Sequence, residues 1–209
     1  MPRANRHYIP GVVWHITHRC HKKEFLLKFA RDRRRWLRWL FEARKRFGLS
    51  ILNYMVTSNH IHLLVRDNGK RDVIPKSIQL IAGRTGQEYN QRKKRKGAFW
   101  EDRYHATAVE TDDHLIQCLV YMDMNMVRAG VVNHPSEWAF SGYLKSASVD
   151  RRLRERAPGV GSGGPAGFFR PYCIKKGEGS ASTPACYEPL LITMHRRAYQ
   201  SIWFENRFS

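Results

Sequence analysis

Two apolar runs lie almost back to back in the chain, "LSILNYMVT" over residues 49–57 and "NHIHLLVR" over residues 59–66, with only a tight polar break between them. Short runs rich in β-branched, aromatic and aliphatic residues read as strands, and a break this short leaves no room for a crossover. The two therefore pair as an antiparallel hairpin. A lone hairpin is not stable in water, so it must be extended by further strands and covered by helices.

The flanking sequence supplies both. The second half of "YIPGVVWHITHRC" (residues 8–20) reads as a first strand after its Pro-Gly break. A helix follows over residues 29–47, where Phe29, Trp36, Leu40, Ala43 and Phe47 mark an apolar stripe, Gly48 supplies the stop, and the opposite face is almost solid arginine. Asp72, with Pro75 in the first turn, opens a second helix whose Ile74, Ile78, Ile81, Thr85 and Tyr89 share a face and which ends in "QRKKRKG". "RYHATAVET" (residues 103–111) is a further strand, and Thr111 or Asp112 caps a third helix over residues 113–128, closed by Gly130. The order β-α-β-β-α-β-α contains the split arrangement of ferredoxin-like α+β sandwiches: an antiparallel sheet of four to five strands with helices on one face. The other face is left to hold a site. Beyond "WAFS" (residues 138–141) the character changes to "APGVGSGGPAG" and "KKGEGSASTPA", which predicts one domain over residues 1–149 and a loosely ordered Gly/Ser/Pro-rich tail over 150–209.

Charge points to the partner. The 37 Lys and Arg against 18 Asp and Glu leave +19, an imbalance suited to a polyanion, with nucleic acid first among candidates. The excess clusters at residues 31–38 and 44–46, 91–97 and 151–156. No apolar run is long enough to span a bilayer, and the N-terminus lacks the apolar core of a secretory signal, so a cytoplasmic, nucleoid-associated location is expected. Cys20, Cys118, Cys173 and Cys186 stand far apart without a CxxC pair, which fits reduced thiols better than disulfides or a zinc knuckle.

The chemistry centres on two elements. Alternation along the second hairpin strand puts His60 and His62 on one face, about 7 Å apart, while Ile61 points to the core; two such imidazoles can grip one divalent ion. On the third helix Leu115, Leu119, Met122 and Met126 form the core stripe, and Gln117, Tyr121, Asn125 and Arg128 share another face. A phenol is a competent nucleophile toward a polarised phosphodiester, and Asn125 can lend a carbonyl oxygen as a third ligand. The plainer account of the same residues is a pair of hydrogen-bonded strand histidines, a boundary tyrosine and an exposed amide.

"NHIHLLV", then "FWEDRYHATAVE", then "YMDMNMVRAG", framed by "YIPGVVWHITHR" and "EWAFSGY", resemble in order and spacing the single-tyrosine HUH transposases, in particular the REP-associated tyrosine transposases, over residues 2–144. The chain departs from the family pattern with Asp123 in place of a glutamate and Met126 in place of a proline. The resemblance implies the HUH endonuclease fold and a metal-dependent, hairpin-specific single-stranded DNA endonuclease and strand transferase. In it Tyr121 attacks the scissile phosphate, and His60, His62 and Asn125 bind Mg²⁺ or Mn²⁺. A 5′-phosphotyrosine link would conserve the bond energy for rejoining. The expected partner is single-stranded DNA in palindromic repeat hairpins, handled by a monomer or homodimer. Arg84, Arg92, Lys93, Lys94, Arg95, Trp100 and Arg103 are candidate DNA contacts, as are His15 and Arg19 on the first strand. Two other classes stay open: a nuclease that activates water with Tyr121 a bystander, and a non-catalytic, domesticated nucleic-acid-binding protein.

Overall fold

The computed structural model of the chain describes residues 9–144. The expected tail over 150–209, and the boundary at 149, lie outside the described residues. Within them the order is β1 (Val13–Arg19), α1 (Ala30–Phe47), β2 (Ser50–Val56), β3 (His60–Arg66), α2 (Val73–Lys93), β4 (His105–Val109), α3 (Asp112–Asp123) and α4 (Asn125–Arg128). The four strands form one antiparallel sheet in the order β2-β3-β1-β4, the ferredoxin-like arrangement.

Alternation on β3 divides the interior. Ile61, Leu63 and Val65 join Ile16, Trp36, Leu40 and Ala43, and Ile74, Ile78 and Ile81, in the larger core beneath α1 and α2. Leu64 faces the other way, into a smaller cluster with Met55, Val109, Cys118, Leu119, Met122 and Met126. The second face of the sheet is thus partly roofed by α3 and α4, and the site lies beside that roof.

Local chemistry sets the element ends. Gly48 takes the left-handed conformation (φ 71°) and its N–H donates to the Arg44 carbonyl at 3.0 Å, closing α1 as a side chain there could not without strain. Thr111 caps α3, its hydroxyl accepting from the His114 N–H at 3.1 Å. Asp72 makes no such cap; its carboxylate pairs with Lys76 at 2.5 Å instead.

The third helix is not continuous as expected. It breaks at Met124 (φ −78°, ψ −2°), separating α3 from α4. Met122, Met124 and Met126 are all buried, and a spacing of two cannot be buried on one side of a regular helix. The chain beyond α4 returns along the outer edge of β2, with the Val56 N–H donating to Phe140 O (2.9 Å) and the Gly142 N–H to Tyr54 O (2.8 Å), so that edge is not left open. The guanidinium of Arg33, from α1, lies against the rings of both Trp138 and Phe140, at 4.6 and 4.5 Å, and holds this strap down.

Candidate active site

His60 and His62 stand at the start of β3, opposite Arg19 and Thr17 of β1, on the face shared with Leu64. Their ring centroids are 5.0 Å apart. His60 Nδ1 lies 2.7 Å from Asn59 Oδ1 and 3.0 Å from Thr57 Oγ1, while the Thr57 hydroxyl donates to the His60 carbonyl at 2.8 Å. An amide oxygen only accepts, so Nδ1 carries the proton and Nε2 keeps its lone pair. His62 Nδ1 lies 3.1 Å from His15 Nε2, and the two rings stack at 5.3 Å. The other nitrogen of His62, Nε2, is 3.5 Å from Asn125 Nδ2.

Burial keeps these rings neutral. It is the main cause pushing His62 down to about 3, with His60, His15, Arg128 and Arg19 adding to it. His60 is lowered by burial and then Arg19, and His15 by burial and then His114. An imidazole held below its ordinary range keeps a free lone pair at neutral pH, as a metal ligand must.

The second half of the site comes from α3 and α4. Tyr121, near the end of α3, is 42% exposed, and its ring lies edge-on to His62 at 5.6 Å and to His15 at 6.4 Å. Arg128 Nη2 donates to the Tyr121 carbonyl at 3.3 Å, and its guanidinium lies 4.3 Å over the Tyr121 ring. Buried Asp123 accepts from Asn53 Nδ2 at 2.9 Å, tying the end of α3 to β2.

Mg²⁺ or Mn²⁺ fits this set in donor chemistry: two neutral imidazoles with Nε2 free of backbone partners, and an amide at the edge of one of them. Among the described residues no three His, Cys, Asp or Glu gather as a metal cluster, and the amide beside the pair is that of Asn125, with its nitrogen toward His62 Nε2.

The structure thus brings together His60, His62, Tyr121 and Asn125, which are far apart in sequence, with His15 behind His62 and exposed Arg19 across from His60. The other candidate DNA contacts are placed differently. Arg84 lies on α2, across the sheet, with its guanidinium over Trp39. Arg92 pairs with buried Asp32, and Arg95 donates to Ala98 O and pairs with Glu24. Trp100 stacks on His18 at 4.1 Å and its N–H donates to Ala82 O, as a wedge in the fold. Lys93, Lys94 and Arg103 are exposed. Sequence reasoning missed Thr57 and Asn59 as the groups that orient His60, and Arg128 as the ring partner of Tyr121. A polar residue next to a paired histidine, and an arginine two turns after the tyrosine, were the available signals.

An antiparallel ferredoxin-like sheet thus carries paired histidines beside a helix-borne tyrosine. The profile of the family described as IS200-like transposases matches residues 9–125, more than half of the chain, and the chain belongs to that family. It is therefore a member of a family of enzymes that act on DNA in transposition. The structure of a REP-associated tyrosine transposase bound to a REP hairpin overlays with a TM-score of 0.59 at 19% identity, covering 71% of this chain and 86% of that one. A candidate transposase from Deinococcus radiodurans R1 reaches a TM-score of 0.41 at 16% identity, over 58% of this chain and 96% of that one. No curated protein matches the chain. Among the described residues, no helix is long and apolar enough to cross a membrane.

Proposed function

We propose that the chain cuts and rejoins single-stranded DNA through Tyr121, forming a 5′-phosphotyrosine. The observation that carries this reading is the approach of Tyr121 to His62, ring centroids 5.6 Å apart, from an element some sixty residues away. The phenolic oxygen of Tyr121 attacks the scissile phosphorus, a Tyr–O–P bond forms, and the bond from phosphorus to the 3′-oxygen breaks. The departing oxygen takes a proton to become a 3′-hydroxyl, and the phenol releases its own to the solvent that the exposed ring meets. Reversal by a 3′-hydroxyl rejoins the strand without ATP, because one phosphodiester has been exchanged for another.

His60, His62 and Asn125 are the residues that would hold Mg²⁺ or Mn²⁺, and a bound ion would supply Lewis-acid stabilisation of charge on the phosphate oxygens. Asn59 and Thr57 hold His60 in orientation, and His15 does so for His62. Arg128 keeps the Tyr121 ring in place from its far side. The substrate is a hairpin of palindromic repeat DNA with a single-stranded flank, a reading supported by the hairpin bound to the similar transposase and by the net charge of +19.

Incubating labelled single-stranded hairpin DNA from the flanks of the gene with the protein, in Mn²⁺ or in EDTA, tests this reading. An SDS-resistant adduct that needs the metal and disappears in Tyr121→Phe is expected. Cutting that persists in Tyr121→Phe without an adduct would assign the site to a water-activating nuclease, and metal-independent binding without cutting would make the protein a binder only.

A further inference from the structure

The segment between β1 and α1 buries Leu26 and Leu27 (6% and 0% exposed) yet leaves Phe25 at 65% and Phe29 at 57%. Two largely exposed phenyl rings flanking two buried leucines forfeit much of the burial that would ordinarily select for phenylalanine. The surroundings are mostly cationic: Lys22, Lys23 and Lys28 are exposed in the same segment, its one acid, Glu24, is paired with Arg95, and Lys93 at the end of α2 lies 5.6 Å over the Phe29 ring. Lys22 and Lys23 both hold a left-handed backbone (φ 49° and 60°), a conformation costly for non-glycine residues and kept only where the surrounding structure enforces it.

This segment abuts the turn that presents His60. The Cys20 N–H donates to Asn59 O (2.7 Å), the Leu27 N–H to Ser58 O (2.9 Å), and the Asn59 side-chain amide to Lys23 O (3.2 Å). Asn59 also fixes His60 through its Oδ1. One residue therefore links the histidine to the lysine-phenylalanine segment.

The geometry points to Phe25 and Phe29, with Lys22, Lys23, Lys28 and Lys93 around them, as a stacking platform for unpaired bases of the DNA strand that passes His60. Exposed aromatic faces set among cations are what single-stranded nucleic acid requires: bases stack on the rings while phosphates meet the ammonium groups. A base-paired duplex offers no free base faces to the rings, so the platform selects single strands. The inference rests on the single-strand chemistry proposed at Tyr121 and places part of the track its substrate follows.

Labelled oligothymidylate and a blunt duplex, each titrated against the full chain, test it. Phe25→Ala and Phe29→Ala should each weaken oligothymidylate binding by about tenfold, with duplex affinity and thermal midpoint unmoved. Phe25→Trp should keep the affinity, and the emission of its added indole should be quenched when oligothymidylate binds. Unchanged single-strand affinity in both alanine variants overturns the platform. So does an equal loss on duplex, or a shift from dimer to monomer in sedimentation, which would make the phenylalanines a contact between copies. Adduct formation by the wild type is read separately: if it occurs while the alanine variants bind normally, only the platform falls, and if it fails while they bind weakly, only the reading at Tyr121 falls.

Discussion

At the scale of single residues, burial separates groups that are shielded from groups that solvent and substrate can reach. Cys20 is fully buried, and burial is the main cause raising its thiol to about 12 from an ordinary 9.0. A group whose native pKa is raised contributes stability in full below its unfolded pKa and loses it as pH climbs from about 9 toward 12. The same shift makes Cys20 a poor nucleophile, since the thiolate is the reacting form. Iodoacetamide at pH 9 should therefore leave Cys20 unlabelled in the native protein and label it in urea, as peptide mass spectrometry would show; rapid native labelling would contradict the burial. Tyr121, by contrast, is exposed. Tyr121→Phe should leave the unfolding free energy measured in urea within about 0.5 kcal/mol of wild type, because changes at an exposed side chain rarely cost more, while removing the covalent adduct altogether.

At the scale of elements, stability rests on a few close approaches. A Cβ built on Gly142 would collide with Asn53 Oδ1, and Asn53 holds Asp123 at the end of α3. Gly142→Ala should cost about 1–3 kcal/mol in denaturant unfolding, the range for forcing atoms into a packed site, and should weaken adduct formation by shifting α3. Gly83, within α2, has nothing within 4 Å of its would-be Cβ. Gly83→Ala should instead stabilise by roughly 0.5–1 kcal/mol, since alanine loses less backbone freedom in a helix. Opposite signs from the same substitution would separate close approach from helix propensity, and equal signs would refute the packing described around Asn53.

At the scale of the whole molecule, the +19 is not one uniform resource. Arg35 and Arg38 are engaged by Glu88, and Arg92 by Asp32, whose carboxylate is almost wholly buried. Arg92→Ala should behave as a stability mutant, costing about 3 kcal/mol by leaving Asp32 buried without its partner. Lys94→Ala, at an exposed helix end, should leave stability alone and lower the slope of log K against log salt for single-stranded DNA by about 0.7 if Lys94 meets one phosphate. Unfolding curves beside salt titrations would tell the two apart; a normal urea midpoint for Arg92→Ala would remove its structural assignment.

Much of this was legible in the sequence because it follows from local periodicity. Alternation at 59–66 put His60 and His62 on one face with Ile61 opposite, helical spacing marked the stripes of α2 and of α1 apart from Phe29, which stands exposed at the N-cap because the helix begins only at Ala30, and Gly48 and Thr111 announced helix ends through their own backbone and side-chain chemistry. The motif order sufficed to mark a resemblance to the REP-associated tyrosine transposases, which the transposase family match bears out. Contacts between distant segments, which have no period, were decided only by the tertiary structure. The break at Met124 goes with the burial of three alternate methionines, and Asn59 meets Lys23 because a loop closes over the end of the sheet. Whether a basic residue faces solvent or a buried acid depends on what lies across from it. For Arg92 that was Asp32, sixty positions earlier, and no pattern around either residue could have paired them.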